Sequence, residues 1–363
     1  MAPARYSRAG AAADAPWLWK SDGEFIIAAN RLGSRSISPL TLGMADDLSA
    51  TKSSPPCKLC GGATGQFIER NSHPIVKCRE CGFMFALLPP NVSAETQYVN
   101  DSYFSAEAAH GITDYDSLWD ALVSHMYVPR LKRMLELGGR GGKHLDIGCA
   151  GGNLIVHASE LGWECYGVEL SQTMRSCAAQ RTGRPIFASL NEARESGLRF
   201  DSVTMFGVIE HLEDPSGTMR QVAAMTAADG MIALSTPNFE NPYAISGALI
   251  DIWFIPPEHI SYFNRSTITG CMTEAGYRIS AMDGIFGAWR AWAGDTSFPR
   301  WLTAALKPWR KNKRLRPGGL LGAILKRAYG PAARPELYRR RDPADLKSAE
   351  VLEIYARRAG NET

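Results

Sequence analysis

The chain has 363 residues, more than one average domain, so the expectation is one main domain with appendages. Apolar residues make up 45%, which is ordinary for a globular chain, and no run approaches the roughly 18 apolar residues of a membrane span. A net charge of +3 is too small to indicate a polyanionic partner until it is localised, and Arg5 and Arg8 lack the apolar core of a secretory signal behind them.

Residues 1–54 are rich in Ala, Ser and Arg, lack sustained periodicity and read as a largely disordered leader. Met44 offers an alternative start of translation, and a mitochondrial transit peptide is the rival reading of the same leader. In residues 55–90, Cys57, Cys60, Cys78 and Cys81 form C-x2-C-x17-C-x2-C, a spacing suited to a tetrahedral zinc site built from two knuckles. Each pair is followed by a glycine, Gly61 or Gly82, and short strands at Gln66–Ile68 and Pro74–Lys77 complete what reads as a zinc ribbon. Two disulfides or four free thiols are the alternatives. The remaining cysteines, Cys149, Cys165, Cys177 and Cys271, are scattered through core-like segments, as in a reducing compartment, which favours zinc and a cytoplasmic location. Four thiolates leave no open coordination position, so the metal is expected to be structural.

Residues 98–137 read as helical and aromatic, with Tyr103, Phe104, Tyr115 and Tyr127 among them. From His144 to Ser171 the pattern is strand, glycine-rich turn, helix, strand. Leu145 and Ile147 lead into Gly148, Gly151 and Gly152; Leu154, Ile155, Ala158 and Leu161 recur at helical spacing; Tyr166–Val168 ends at Glu169. In an open α/β sheet, glycines in the first turn let a ligand approach the backbone, and an acid after the second strand accepts hydrogen bonds from a ribose. A nucleoside-bearing cofactor follows. The run from Asp146 to Gly152 has neither the Lys-Ser/Thr of a phosphate-binding loop nor the third glycine of a dinucleotide fingerprint. Further on, Phe200–Phe206 reads as a fourth strand leading to Glu210-His211, Met219–Ala227 as a helix, and Met231–Leu234 as a fifth strand closing on Asn238.

These three blocks, in this order and spacing, resemble the class I S-adenosylmethionine (SAM) dependent methyltransferases over about residues 98–285. Ala150 stands where many members carry glycine. The resemblance implies an α/β, Rossmann-like fold with a mostly parallel seven-stranded sheet. It also implies that Asp146, Gly148, Ala150 and Gly152 face the amino-acid part of SAM, that Glu169 holds the ribose, and that Leu170, Leu190 and Phe206 complete the cofactor pocket. A zinc ribbon ahead of such a domain is similar to a bacterial subset of these enzymes.

Catalysis by such a fold is mostly positioning, with a base for acceptors of high pKa. His211, after the fourth strand, and His259, in Pro256-Pro257-Glu258-His259, are the candidates, each with a purely structural role as the alternative. Quinone-pathway and RNA-end relatives that use a divalent metal carry Glu three residues before the Glu-His pair; Gly207 stands there, so no catalytic metal is expected. Residues 286–363 read as a basic, aromatic and mainly helical extension. It contains Trp289, Trp292, Trp301, Trp309, the run Arg310–Arg316, Arg339–Arg341 and a last helix over Ala344–Arg358. Such a surface suits a solvated face, an anionic small substrate, peripheral membrane contact or nucleic acid. The expected function is methyl transfer to a small-molecule, glycan or lipid-linked acceptor, with O-methylation favoured. The alternatives are an RNA methyltransferase that holds RNA with its ribbon and basic region, and a degenerate SAM-binding scaffold; intact Asp146, Gly148, Gly152 and Glu169 weigh against the scaffold.

Overall fold

The computed structural model describes residues 17–19, 25–27, 54–99, 127–241, 253–285, 346–347, 349 and 351–360. The alternative start at Met44, the aromatic stretch 100–126 and the basic run within 286–345 lie outside the described residues. Residues 1–48 form one unit, in which β1 (Trp17–Trp19) pairs antiparallel with β2 (Phe25–Ile27).

The second unit begins with the cysteine-bearing ribbon. Strands β3 (Thr64–Arg70) and β4 (His73–Cys78) pair across the two-residue turn Asn71-Ser72. Both turn residues have positive φ, 48° and 60°, the mirror-image turn whose twist matches a hairpin. Strand β5 (Met84–Ala86) pairs with β4. Among the described residues helices α1 (Thr96–Val99) and α2 (Val128–Glu136) follow; the latter has a proline in its first turn and buries Arg130, Leu131 and Met134.

An alternation of strands and helices then builds the main sheet. It runs β6 (Lys143–Ile147), α3 (Asn153–Glu160), β7 (Glu164–Val168), α4 (Gln172–Thr182), β8 (Ile186–Phe187), α5 (Leu190–Glu195) and β9 (Phe200–Phe206). After a 3-10 turn at Ile209–His211 come α6 (Pro215–Met225), β10 (Thr226–Pro237), β11 (Ser261–Tyr262), α7 (Arg265–Glu274), β12 (Tyr277–Ile285) and β13 (Val351–Arg358). Helix starts are chemically marked: Ser171 accepts from the Met174 amide at 3.0 Å, Asp214 caps α6, and Asn264 with Thr267 forms a reciprocal capping box on α7.

The seven strands lie in the order β12-β13-β10-β9-β6-β7-β8. Strands β6 to β10 are parallel, and β13 is antiparallel to both of its neighbours. This is the mostly parallel, Rossmann-like sheet expected. Its order reverses between β6 and β9, so the crevice beyond their carboxyl ends is where a ligand belongs. Alternation along the strands feeds two cores. Leu145, Val203, Ile232 and Leu234 join one with α6, α7 and the ribbon's Phe83 and Phe85; Met231 and Ala233 join the other with α2 and α3.

The C-terminal strand corrects the sequence reading. A helix is expected over Ala344–Arg358, but Val351–Arg358 is a strand between β10 and β12, so the sheet reaches beyond residue 285 to Arg358. Leu352, Ile354, Tyr355 and Ala356 are buried on both faces, and a strand covered on both faces loses the polar alternation that would distinguish it from a helix.

Candidate functional site

At the carboxyl end of β6, Asp146 is 5% exposed and its Oδ1 accepts the Thr204 hydroxyl at 2.7 Å. His144, a neutral imidazole whose pKa burial lowers to about 3, lies behind it, with Nε2 3.2 Å from Thr204 Oγ1 and Nδ1 2.9 Å from Ser202 Oγ. Burial, with the nearby Glu169 carboxylate adding and the Thr204 hydroxyl opposing, lifts the Asp146 pKa to about 7. Glu169, at the end of β7, accepts the Ala150 and Ser171 amides at 2.8 and 2.9 Å, and burial raises its pKa too. Two carboxylates buried together therefore favour a ligand that brings positive charge and hydroxyl donors.

The connecting turn leaves room for it. Gly148 has φ 74°, and a Cβ there would meet Val208 Cγ2 at 2.6 Å; Gly152 has φ 81° and lies against Ala178 on α4. Ala150 also takes positive φ, 44°, which directs its amide to Glu169. Leu170 is half-buried just past β7, Leu190 is the half-buried first residue of α5, and Phe206 ends β9 with its ring 5.2 Å from Tyr127. Asp146, the glycine turn, Glu169 and Phe206 thus lie along one edge of the sheet.

A second group stands past β9. Glu210 is 4% exposed, its Oε2 makes no close hydrogen bond among the described residues, and burial lifts its pKa to about 8. The His211 Nδ1 lies 2.8 Å from the Glu258 carbonyl and 2.6 Å from the Tyr98 hydroxyl, and burial lowers its pKa to about 4. The His259 Nδ1 lies 3.0 Å from the Trp253 carbonyl, and its ring meets that of His211 edge-on at 4.8 Å. Ligand atoms of Glu210, His211 and His259 all lie within 4.8 Å of one another. Gly207, in the place of a glutamate, predicts no catalytic metal here; the fold supplies His259 to the cluster, and one carboxylate with two imidazoles is a donor set that suits a divalent cation.

The four ribbon cysteines also converge, with all four Sγ within 4.8 Å of one another. Cys57 and Cys81 Sγ lie 3.6 Å apart, and Cys60 and Cys78 Sγ 3.5 Å apart. Four thiolates at tetrahedral Zn–S bonds of about 2.3 Å would stand roughly 3.8 Å apart, so these two pairs fit zinc with a shift of a few tenths of an ångström. The Glu80 and Cys81 amides point at the Cys78 sulfur, each at 3.4 Å. Although burial opposes ionisation, those amides help bring the Cys78 pKa down to about 7.

Residues 119–281 match a family model described as a methyltransferase domain. The chain is 29% identical to the ubiquinone biosynthesis O-methyltransferase of Bordetella avium (strain 197N), over 43% of this chain and 71% of that one. It is 25% identical to the protein of the same name from Acinetobacter baylyi (strain ATCC 33305 / BD413 / ADP1), over 41% and 68%. The chain carries a SAM-dependent methyltransferase domain. Among solved structures, the methyltransferase aligns with Haemonchus contortus phosphoethanolamine N-methyltransferase 2 in complex with SAM, at TM-score 0.49 and 14% identity, over 82% of this chain and 71% of that one.

Sequence reasoning about this methyltransferase missed the wall opposite Asp146. Arg130, 2% exposed on α2, places its guanidinium 4.7 Å from the Tyr127 ring centre and 4.8 Å from that of Phe206. Its Nε donates to Glu353 Oε1 at 2.5 Å, and its Nη1 reaches Ser235 Oγ at 3.4 Å. The only signal was a basic residue adjoining the apolar Leu131 and Met134 stripe of α2. Leu190, expected to complete the cofactor pocket, is half-buried at the start of α5 and packs against the main core.

Proposed function

We propose that this methyltransferase moves the SAM methyl group to a hydroxyl of a small-molecule, glycan or lipid-linked acceptor in the cytoplasm, and that Cys57, Cys60, Cys78 and Cys81 hold structural zinc. The observation that carries this reading is the common sheet edge shared by the buried Asp146–Glu169 pair and the His211–His259 pair. Bound SAM supplies a methyl group already activated on a sulfonium. Asp146 would accept from its ammonium, Glu169 from its ribose, and Gly148 and Gly152 would let the backbone lie close. Ala150, Leu170, Leu190 and Phe206 would line the same pocket.

On the acceptor side, burial keeps His211 uncharged at neutral pH, and contacts to Glu258 and Tyr98 fix its ring. It can therefore orient an acceptor hydroxyl and take its proton, with His259 packed beside it. Replacing either histidine by alanine should lower kcat by about 10²-fold with little change in SAM affinity. The relatives named for O-methylation support a hydroxyl acceptor, and no helix among the described residues is long and apolar enough to cross a membrane. Labelled SAM incubated with the protein and cell extract, followed by separation of RNA, lipid and small metabolites, tests the assignment. Label in metabolites or lipid supports it; label in RNA refutes it.

The convergence of Glu210, His211 and His259, with Glu210 Oε2 making no close hydrogen bond among the described residues, favours a second reading of the same edge. An imidazole of pKa about 4 is a weak acceptor for a hydroxyl proton near pKa 10. Glu210, His211 and His259 would hold a divalent cation, whose chemistry would be to acidify a bound hydroxyl. Calorimetric titration of the protein with Mg²⁺, Mn²⁺ and Zn²⁺, repeated with Glu210→Gln, separates the two: saturable binding lost in the variant supports the cation.

A further inference from the structure

We propose that the cysteine ribbon is the structural support of the acceptor side of the active site, so that metal held at Cys57, Cys60, Cys78 and Cys81 sets the positions of Glu210, His211 and His259. The inference rests on reading those three residues as the acceptor side. The ribbon sheet is not closed by ribbon residues alone. Its four strands run β11-β5-β4-β3, and β11 belongs to the segment immediately after His259. Ser261 pairs with Phe85 and Tyr262 with Met84.

Ile260 is the joint. Its carbonyl accepts the Ala86 amide of the ribbon at 2.9 Å, and its own amide donates to the Glu210 carbonyl at 2.9 Å. One residue away, Ser261 Oγ donates to the Leu212 carbonyl at 2.8 Å, and the Tyr262 hydroxyl donates to the His259 carbonyl at 2.6 Å. At the far end of the ribbon, the Asn71 side-chain amide holds the Pro256 carbonyl at 3.0 Å. The segment from Pro256 to Tyr262 is therefore bonded on one side to the ribbon and on the other to the turn that carries Glu210 and His211.

Packing transmits the metal-dependent fold to that segment. Cys57 and Cys78 share one core with Phe83, Phe85 and Phe263, with the Phe83 and Phe263 rings 5.0 Å apart. Ile75, Met84 and Ala86 pack with Trp253, Ile260 and Tyr262, and the Trp253 ring stacks on His259. Three ribbon strands of three to seven residues, with Cys57 and Cys78 buried, Cys81 half-buried and Cys60 exposed, are too small to hold together without metal, whereas the Asp146–Glu169 edge lies on the central strands and does not depend on them. Metal loss should thus loosen the acceptor side and spare the SAM side.

Amide hydrogen exchange on the full-length zinc-loaded protein tests this without an acceptor. Chelation should speed exchange in segments 208–213 and 258–263 by about tenfold or more, while segment 143–160 keeps its protection. Ala86→Pro removes the amide that bonds Ile260 and leaves all four cysteines, so it should reproduce the effect with zinc content unchanged. Should that variant fail to fold, Tyr262→Phe, which keeps the ring and drops the bond to His259, should accelerate exchange at 258–263 alone. SAM affinity by calorimetry should stay within about threefold in every case. Unchanged exchange at 258–263 after chelation would overturn the proposal, as would loss of protection throughout the sheet. Failure of the zinc-loaded protein to bind SAM would instead defeat the functional reading and leave the exchange result standing.

Discussion

Replacing Asp146 by Asn should weaken SAM binding and remove its dependence on pH near neutrality. Asp146 is held in place by the Thr204 hydroxyl at 2.7 Å, and burial, with Glu169 adding, lifts its pKa from 3.8 to about 7. The folded, cofactor-free chain therefore keeps a proton that the unfolded chain gives up above about pH 4. The stabilising contribution is complete below about pH 4 and is lost as pH rises through about 7, on the order of 4 kcal/mol across that window at about 1.4 kcal/mol per unit. A cationic ligand reverses the sign, because it pairs with the ionised carboxylate. The Kd for SAM should accordingly fall about tenfold per unit as pH rises toward 7, then level off. Asparagine preserves the acceptor for Thr204 but has no charge. The lost charge-assisted bond is worth about 1.5–3 kcal/mol, or roughly 10- to 150-fold in Kd at about pH 8. Calorimetry at about pH 6, 7 and 8, in buffers of different ionisation enthalpy, gives both Kd and the protons released. A wild-type Kd that is flat over this range would refute the reasoning, and so would a variant that keeps the wild-type slope.

Three further outcomes are expected. Gly152→Ala places a Cβ 2.9 Å from Thr182 Cγ2 and 3.1 Å from Ala178 at φ 81°, so it should cost about 2 kcal/mol or more in a denaturant melt and impair SAM binding. Arg130→Met alone leaves the Glu353 carboxylate buried without its partner and should cost about 3–5 kcal/mol, while the double variant with Glu353→Leu should regain most of that in the same melt. Cys60→Ser, at the most exposed of the four thiols, should lower zinc to well under one equivalent by elemental analysis and depress the melting temperature.

What was legible in the sequence was local. Asp146, Gly148, Gly152 and Glu169 fall within one strand–turn–helix–strand unit, where positive φ demands glycine and an acid must end the next strand. The cysteine pairs were legible for the same reason, since each knuckle is a turn of consecutive residues. His211 and His259 were each visible as candidates, but their meeting was not: 48 positions separate them, and contact depends on Ile260 bonding back to Glu210. Gly207 argued against a metal from one position of a motif, whereas the donor set is assembled from two segments. Strand β13 was misread because burial on both faces erases the period that distinguishes strand from helix.

The buried ion pair shows why that misreading matters for the site. Arg130 precedes the cofactor strand by 13 positions, and Glu353 lies 223 positions further along than Arg130, on the last strand of the sheet. A guanidinium stacked on Tyr127 and Phe206 can sit in an apolar wall only if its charge is met from inside, and Glu353, opposite Ser235 in the β10–β13 ladder, meets it. The same cation acts on Tyr127, whose hydroxyl is held neutral by burial beside Asp146 and Glu210. The Tyr127–Phe206 wall, whose tyrosine lies near both Asp146 and Glu210, therefore has its buried cation matched only when the C-terminal strand has threaded between β10 and β12. A domain boundary drawn at residue 285 would leave Arg130 charged and unmatched at the centre of the site, so the catalytic domain must include the strand that the sequence pattern assigned to a helical tail.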